Sequence, residues 1–181
     1  MKTDEEFYII TKNTKIKDLK EIYTKIDSNN QVQLLDMHGN LIDRNQKNIY
    51  RLIKNIFNKM NIELNINNKT IIASFSTKSA NKNSYGNNTS DAIGKKYKNE
   101  HIEELPLIIA NSTYDSTKPE RRDKLKGIHA NTKEWNYFIN NIVTEYGIID
   151  INIKISFTGE KHYVYDVSYK LKKPSQQGTN P

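Results

Sequence analysis

Apolar and polar positions along this chain repeat with two different periods, and the change from one to the other divides it. Between Lys15 and Ile26 the residues Ile16, Leu19, Ile22, Tyr23 and Ile26 recur every three or four positions, the stripe of a helix that buries one face. Val32–Met37 and Leu41–Ile42 flank His38-Gly39-Asn40 as the arms of a short hairpin would. Helical spacing returns at Ile49, Leu52, Ile53, Ile56, Phe57 and Met60, after Asp43, a residue suited to capping a helix start. Ile62–Ile66 and Thr70–Ser76 then alternate on either side of Asn67-Asn68-Lys69 and predict a second hairpin.

From Thr77 to Asp91 the chain turns to Ser, Asn, Lys, Gly and Thr, a loop composition. A short helical stretch is expected from about Asn99 to Ala110, with Pro106 starting or kinking its last turn. The strictest pattern comes last. Ile149, Ile151, Ile153, Ile155 and Phe157 alternate with Asp150, Asn152, Lys154 and Ser156, and beyond Thr158-Gly159-Glu160 the alternation resumes at Lys161, Tyr163, Tyr165, Val167, Tyr169 and Leu171. A three-residue connection makes the two apolar sets coincide, pairing 155 with 163, 153 with 165 and 151 with 167, and sets Ser156 opposite His162. Trp135–Val143, joined through Glu145-Tyr146-Gly147, adds a third strand. The fold class read from these periods is α+β: two or three N-terminal helices with short hairpins, then a C-terminal antiparallel meander sheet. The expected organisation is an N-terminal region 1–66, an α+β domain 67–173 with mobile loops 77–91 and 116–133, and a disordered polar tail 174–181.

Composition narrows the functional classes. The 181 residues hold 28 Lys+Arg against 21 Asp+Glu, a formal charge of +7, and no cysteine. Disulfides, all-cysteine zinc sites and thiol nucleophiles are excluded. The seven glycines form neither G-x-G-x-x-G nor G-x-x-x-x-G-K, so no nucleotide-cradling loop is present and no cofactor is expected. No apolar run approaches the ~20 residues of a membrane span, and the first residues are too polar for a signal peptide, so a soluble cytoplasmic protein is expected.

The titratable side chains offer few metal or nucleophile motifs. Histidines 38, 101, 129 and 162 share no H-E-x-x-H; His101 with Glu103 and Glu104 is the nearest approach to a ligand set, and no metal is expected. No G-x-S-x-G elbow occurs. Arg44, Lys47, Arg51, Lys54 and Lys59 share one face of the second helical pattern, either solvated or turned to phosphate. Cleaving RNA without a metal needs a base for the 2′-hydroxyl, an acid for the leaving 5′-oxygen and cations near the phosphate. Histidine titrates near neutrality and suits the first two roles; Lys and Arg suit the third. By the register above, His162, Lys154 and Ser156 share one strand face, while His129, Lys126, Lys124, Arg121 and Arg122 lie in the preceding basic segment. The same alternation is also how an antiparallel sheet meets water. Tyr163, Tyr165 and Tyr169 fall with the isoleucines, which assigns them to the core rather than to base stacking.

The block Leu105-Pro106-Leu107-Ile108-Ile109-Ala110-Asn111, the basic segment ending at Gly127-Ile128-His129, Trp135-Asn136-Tyr137-Phe138 and the close at His162-Tyr163-Val164-Tyr165 carry a resemblance. Over roughly residues 70 to 173 the chain resembles the small α+β modules of phage polyvalent and head-associated polymorphic toxin proteins, grouped near barnase, EndoU, colicin and RelE-like nucleases. The resemblance implies a metal-independent ribonuclease toxin acting in the cytoplasm after delivery by phage or secretion. It would take tRNA or another host RNA, with an immunity or host protein as a further partner and no membrane. It implies active-site roles for Lys78, His129, Ser156 and His162, beside Arg121, Arg122, Lys124, Lys126 and Lys154 as nucleic-acid contacts. Related modules include accessory, non-catalytic ones, so a phage protein that only binds a host nucleic-acid machine or its RNA is the alternative. Nucleotidyl or ADP-ribosyl transfer is a third, disfavoured by the absence of a nucleotide loop.

Overall fold

The computed structural model describes residues 7–30, 56–76, 92–120 and 132–172, with backbone alone for 24–30. Seven strands, β1 (Tyr8–Ile10), β2 (Met60–Ile66), β3 (Lys69–Phe75), β4 (Thr113–Pro119), β5 (Glu134–Thr144), β6 (Gly147–Phe157) and β7 (His162–Leu171), form one mixed sheet in the order β1-β2-β3-β7-β6-β5-β4. Three short helices, α1 (Ile16–Asn30), α2 (Ala92–Glu100) and α3 (Leu105–Ala110), connect them. The expectation of N-terminal helices followed by a separate small meander is therefore corrected. The first described element is a strand, β4 to β7 run as an antiparallel meander, and β3 pairs with β7 in parallel, which carries the hairpin β2–β3 and the edge strand β1 into the same sheet.

Local chemistry accounts for several elements. Asn67 and Asn68 both take positive φ, 50° and 69°, the conformation that a two-residue hairpin turn demands and that asparagine tolerates better than most residues. The residue-66 boundary read from the sequence falls at this turn, between two strands that pair with each other. In α1, Leu19 and Tyr23 are buried while Ile16 is exposed, so one stripe faces inward. The expected helix from Ile49 to Met60 lies largely outside the described residues; of it, Phe57–Lys59 is a 3₁₀ turn and Met60 opens β2. The expected hairpin at 32–42, the loop 77–91 and the tail 174–181 also lie outside. The loop expected at 116–133 is corrected at its start, where residues 116–119 belong to β4.

The helices cover one face of the sheet. Its buried side chains include Ile10, Met60, Ile62, Ala73, Phe75, Val164, Val167, Tyr169, Ile151, Ile153 and Phe138, met by Leu19, Tyr23, Ile102, Leu105 and Ile109. α2 comes closest: a Cβ on Gly94 would lie 2.1 Å from the Tyr169 carbonyl oxygen, so only glycine lets helix and strand backbones meet there. Next along that helix Lys98, 4% exposed, donates from Nζ to the Val167 carbonyl while its charge lies 5.9 Å from the Tyr169 ring. α3 is tied to β5 by Asn140, whose Nδ2 donates to the Ile108 carbonyl at 2.9 Å. Among the described residues no helix is long and apolar enough to cross a membrane.

Candidate functional site

The connection between β6 and β7 decides which side chains share a face. It has four residues, 158–161, with Phe157 paired to His162. The Thr158 amide donates to the Lys161 carbonyl at 3.0 Å, the Thr158 hydroxyl accepts from the Lys161 amide at 3.1 Å, and Gly159 takes φ of 99°. The expected three-residue turn is corrected: one extra residue moves every side chain at the start of β7 to the other face. Ser156 is paired with Tyr163, not His162, and Ile155 with Val164. A bulge then places both Tyr165 and Asp166 against Lys154, after which Val167 pairs with Ile153 and Tyr169 with Ile151. Val164 and Val167 thus both face the core, and Tyr163 and Tyr165 face away from it.

His162 and Ser156 are accordingly not neighbours in one site. His162 lies on the helix-covered side at the rim of the sheet, its ring stacked on Phe157 at 4.4 Å. Burial lowers its pKa below the usual 6.5, so the imidazole is neutral near pH 7. Ser156 is buried on the opposite face, its Oγ 3.5 Å from the Tyr163 carbonyl. His129, Lys78, Arg121, Arg122, Lys124 and Lys126 lie outside the described residues. His101 stacks on Tyr97 at 4.2 Å and has Nδ1 3.4 Å from a Glu104 oxygen. Among the described residues no three His, Cys, Asp or Glu side chains converge as a metal site would require.

The depressed His162 pKa has a measurable consequence. The unfolded chain binds that proton more readily than the folded one, so the His162 contribution to stability is complete above pH 6.5 and declines as the pH falls toward the lower folded value. His162→Gln should flatten the pH dependence of the urea midpoint as the pH falls below about 6.5. An unchanged slope would show that the ring titrates as in water.

The face away from the helices holds a different constellation. Register sets seven residues, one per strand, in a single row across it: Ile9, Asn61, Ser74, Tyr163, Ser156, Trp135 and Lys118. With strands ~4.8 Å apart, the row is about 29 Å long. Ser74 Oγ donates to Asn61 Oδ1 at 2.9 Å within it. The next row holds Ser116, Tyr137, Lys154 and the bulge residues Tyr165 and Asp166. Here Lys154 Nζ is surrounded by three rings, 4.2 Å from the Trp135 centroid, 5.4 Å from Tyr165 and 6.0 Å from Tyr137, and Lys118 Nζ lies 5.5 Å from Tyr137. Trp135 and Tyr165 meet edge to face at 5.0 Å. Trp135 is 5% exposed and forms the floor, whereas Tyr137, Tyr163 and Tyr165 are half-buried and present ring surface to solvent. Further along this side Ile9, Ile72, Ile139 and Val143 are exposed, so these parts of it are uncovered.

These aromatic residues are the functional candidates that strict alternation concealed. The signal that finds them is in β5, where Trp135, Tyr137 and Ile139 share one parity and Asn136, Phe138 and Asn140 the other. Phe138 and Asn136 are the buried set facing the helices, which leaves the tryptophan and tyrosine on the outer side with Lys154. Comparison with family models, with characterised proteins and with solved structures finds no match.

Proposed function

We propose that the protein binds single-stranded RNA across the outer face of its sheet. The observation that carries this reading is the pair of adjacent rows in which lysines 118 and 154 stand among Trp135, Tyr137, Tyr163 and Tyr165 on the side away from the described helices. Stacking on aromatic rings and attraction to phosphate are what recognition of unpaired nucleotides requires, and neither depends on a particular base. The overall charge of +7 favours a polyanionic partner. Asp166 beside Lys154 reduces the local positive charge, so affinity should be moderate. A row about 29 Å long suits on the order of four to eight nucleotides.

Cleavage is less well supported than binding. Of the two histidines expected as acid and base, His162 lies on the opposite face of the sheet from Ser156 and the lysine-bearing rows, and His129 lies outside the described residues. An accessory protein that holds host RNA, the non-catalytic alternative suggested by the phage-module resemblance, needs no such pair.

Trp135, the sole tryptophan, lies in the row and reports on it directly. Adding a ten-nucleotide oligo(U) at 50 mM salt should change its fluorescence with a dissociation constant in the region of ~1–100 μM, and the affinity should fall linearly on a log–log plot against salt with a slope of about −0.7 per phosphate contact. No change in fluorescence or in the anisotropy of labelled oligo(U) would overturn the reading. RNA cleavage in EDTA that is lost in His162→Ala would replace it with the ribonuclease.

A further inference from the structure

At the end of the outer face nearest Tyr163 the sheet opens. β3 begins at Lys69, but its parallel partner β7 begins only at His162, opposite Ala73, so β3 is paired with β7 through residues 73–75 alone. Along Lys69–Ile72 the side of β3 turned toward β7 has no strand partner among the described residues, and the β6–β7 turn stands across the gap. The result is a groove of about 580 Å³ whose lining includes Asn61, Lys69, Thr70, Ser74, Lys161 and Tyr163, with His162 and Glu160 at its edge.

We propose that this groove holds a backbone phosphate of the bound strand, the one adjoining the nucleotide that stacks on Tyr163. The inference rests on the RNA-binding reading above and fixes one point of the strand's path, at one end of the row. Tyr163 and Ser74 belong both to the groove and to the cross-sheet row, so a strand lying along the row meets the groove without turning away from the surface. Lys69 of the hairpin and Lys161 of the turn both line the groove, and Glu160 is the one acidic residue in the lining, leaving an excess of positive charge. Asn61 adds a neutral donor, its Nδ2, while its Oδ1 accepts from the Ser74 hydroxyl at 2.9 Å; such amides contact phosphate beside lysine in nucleic-acid complexes. The Lys161 wall is also held in place: its amide is bonded to the Thr158 hydroxyl and its carbonyl to the Thr158 amide. A lysine on a fixed backbone gives up less freedom when it engages an anion than one on a loose loop.

The test uses oligo(U) and the intact chain. Lys69 and Lys161 are exposed, so Lys69→Gln with Lys161→Gln should leave the urea midpoint nearly unchanged, within about 0.5 kcal/mol of stability. The double variant should bind oligo(U) about tenfold more weakly at low salt and lose about 0.7 from the salt slope, the value for one phosphate contact. With oligo(U) cut to the shortest length that still binds fully, so that its register is fixed, a series with one neutral methylphosphonate linkage each should show a single position that weakens the unmodified protein several-fold and leaves the double variant indifferent. The His162 imidazole resonances should shift on adding oligo(U) to the unmodified protein. Unchanged affinity and slope in the double variant, or equal sensitivity of both proteins to every neutral linkage, would overturn the groove assignment while the binding face stands. Failure of the unmodified protein to bind oligo(U) would overturn both, and is recognised by the silent Trp135 signal.

Discussion

Gly94→Ala should be the most damaging single methyl that can be added to this protein. Alanine would ordinarily strengthen a helix, by about 1 kcal/mol over glycine. Here the new Cβ would sit 2.1 Å from the Tyr169 carbonyl oxygen and 2.6 Å from its carbonyl carbon, backbone atoms near the end of β7 that no rotamer change can move aside. Relief requires α2 to back away from the strand, which loosens the buried contact of Lys98 with the Val167 carbonyl on the next turn. Overpacking of this kind costs roughly 1–3 kcal/mol and more where backbone is involved, and the gain in helix propensity offsets only part of it. We expect a net loss of at least about 2 kcal/mol, seen as a fall of about 1 M or more in the urea midpoint. Lys96→Ala, on the exposed side of the same helix, should stay within about 0.5 kcal/mol. Equal midpoints for Gly94→Ala and the unmodified protein would show that the helix does not rest on β7 as described.

How much of this architecture can be read from residues alone depends on whether the information is local. The β2–β3 hairpin is legible because its turn residues and alternation lie within fifteen positions, and the β5–β6–β7 order because each strand neighbours the next in sequence. β4 is not: Thr113–Pro119 is polar and exposed at the sheet edge, so hydrophobic period has nothing to register there. The parallel meeting of β3 with β7 joins residues 73–75 to 162–164, a contact with no local signature, and it is what turns an apparent helical region plus meander into one sheet. The outer face escapes the hydropathy pattern for a narrower reason. Tyr163, Tyr165, Val167, Tyr169 and Leu171 look like one continuous apolar face, but the bulge at 165 and 166 breaks the alternation once, and the four-residue turn shifts its starting phase. The second half of that set stays in the core and the first half leaves it. Bulges leave no mark in a hydropathy pattern when, as here, the extra residue is itself aromatic.

The two tyrosines displaced by that bulge and turn give the binding reading its sharpest trial. Tyr163 lies in the first row beside Ser74 and Ser156, and Tyr165 in the second, edge-on to Trp135 and 5.4 Å from the Lys154 ammonium. If each ring stacks on a base, each is worth about 1–3 kcal/mol, so Tyr163→Leu with Tyr165→Leu should weaken oligo(U) binding by at least about 30-fold while the salt slope stays as it was, because no phosphate contact has been removed. Lys154→Met should do the reverse: it keeps the apolar stem over Trp135, removes the charge, and should reduce the slope by about 0.7 with a smaller loss of affinity. Tyr163→Phe with Tyr165→Phe should bind as the unmodified protein does, since the ring rather than the hydroxyl is asked to act. Anisotropy of labelled oligo(U) measures all four proteins without relying on a tryptophan whose surroundings the leucine variant alters. Should the leucine pair bind within about twofold of the unmodified protein, the rings are packing elements of the sheet surface and no base rests on them.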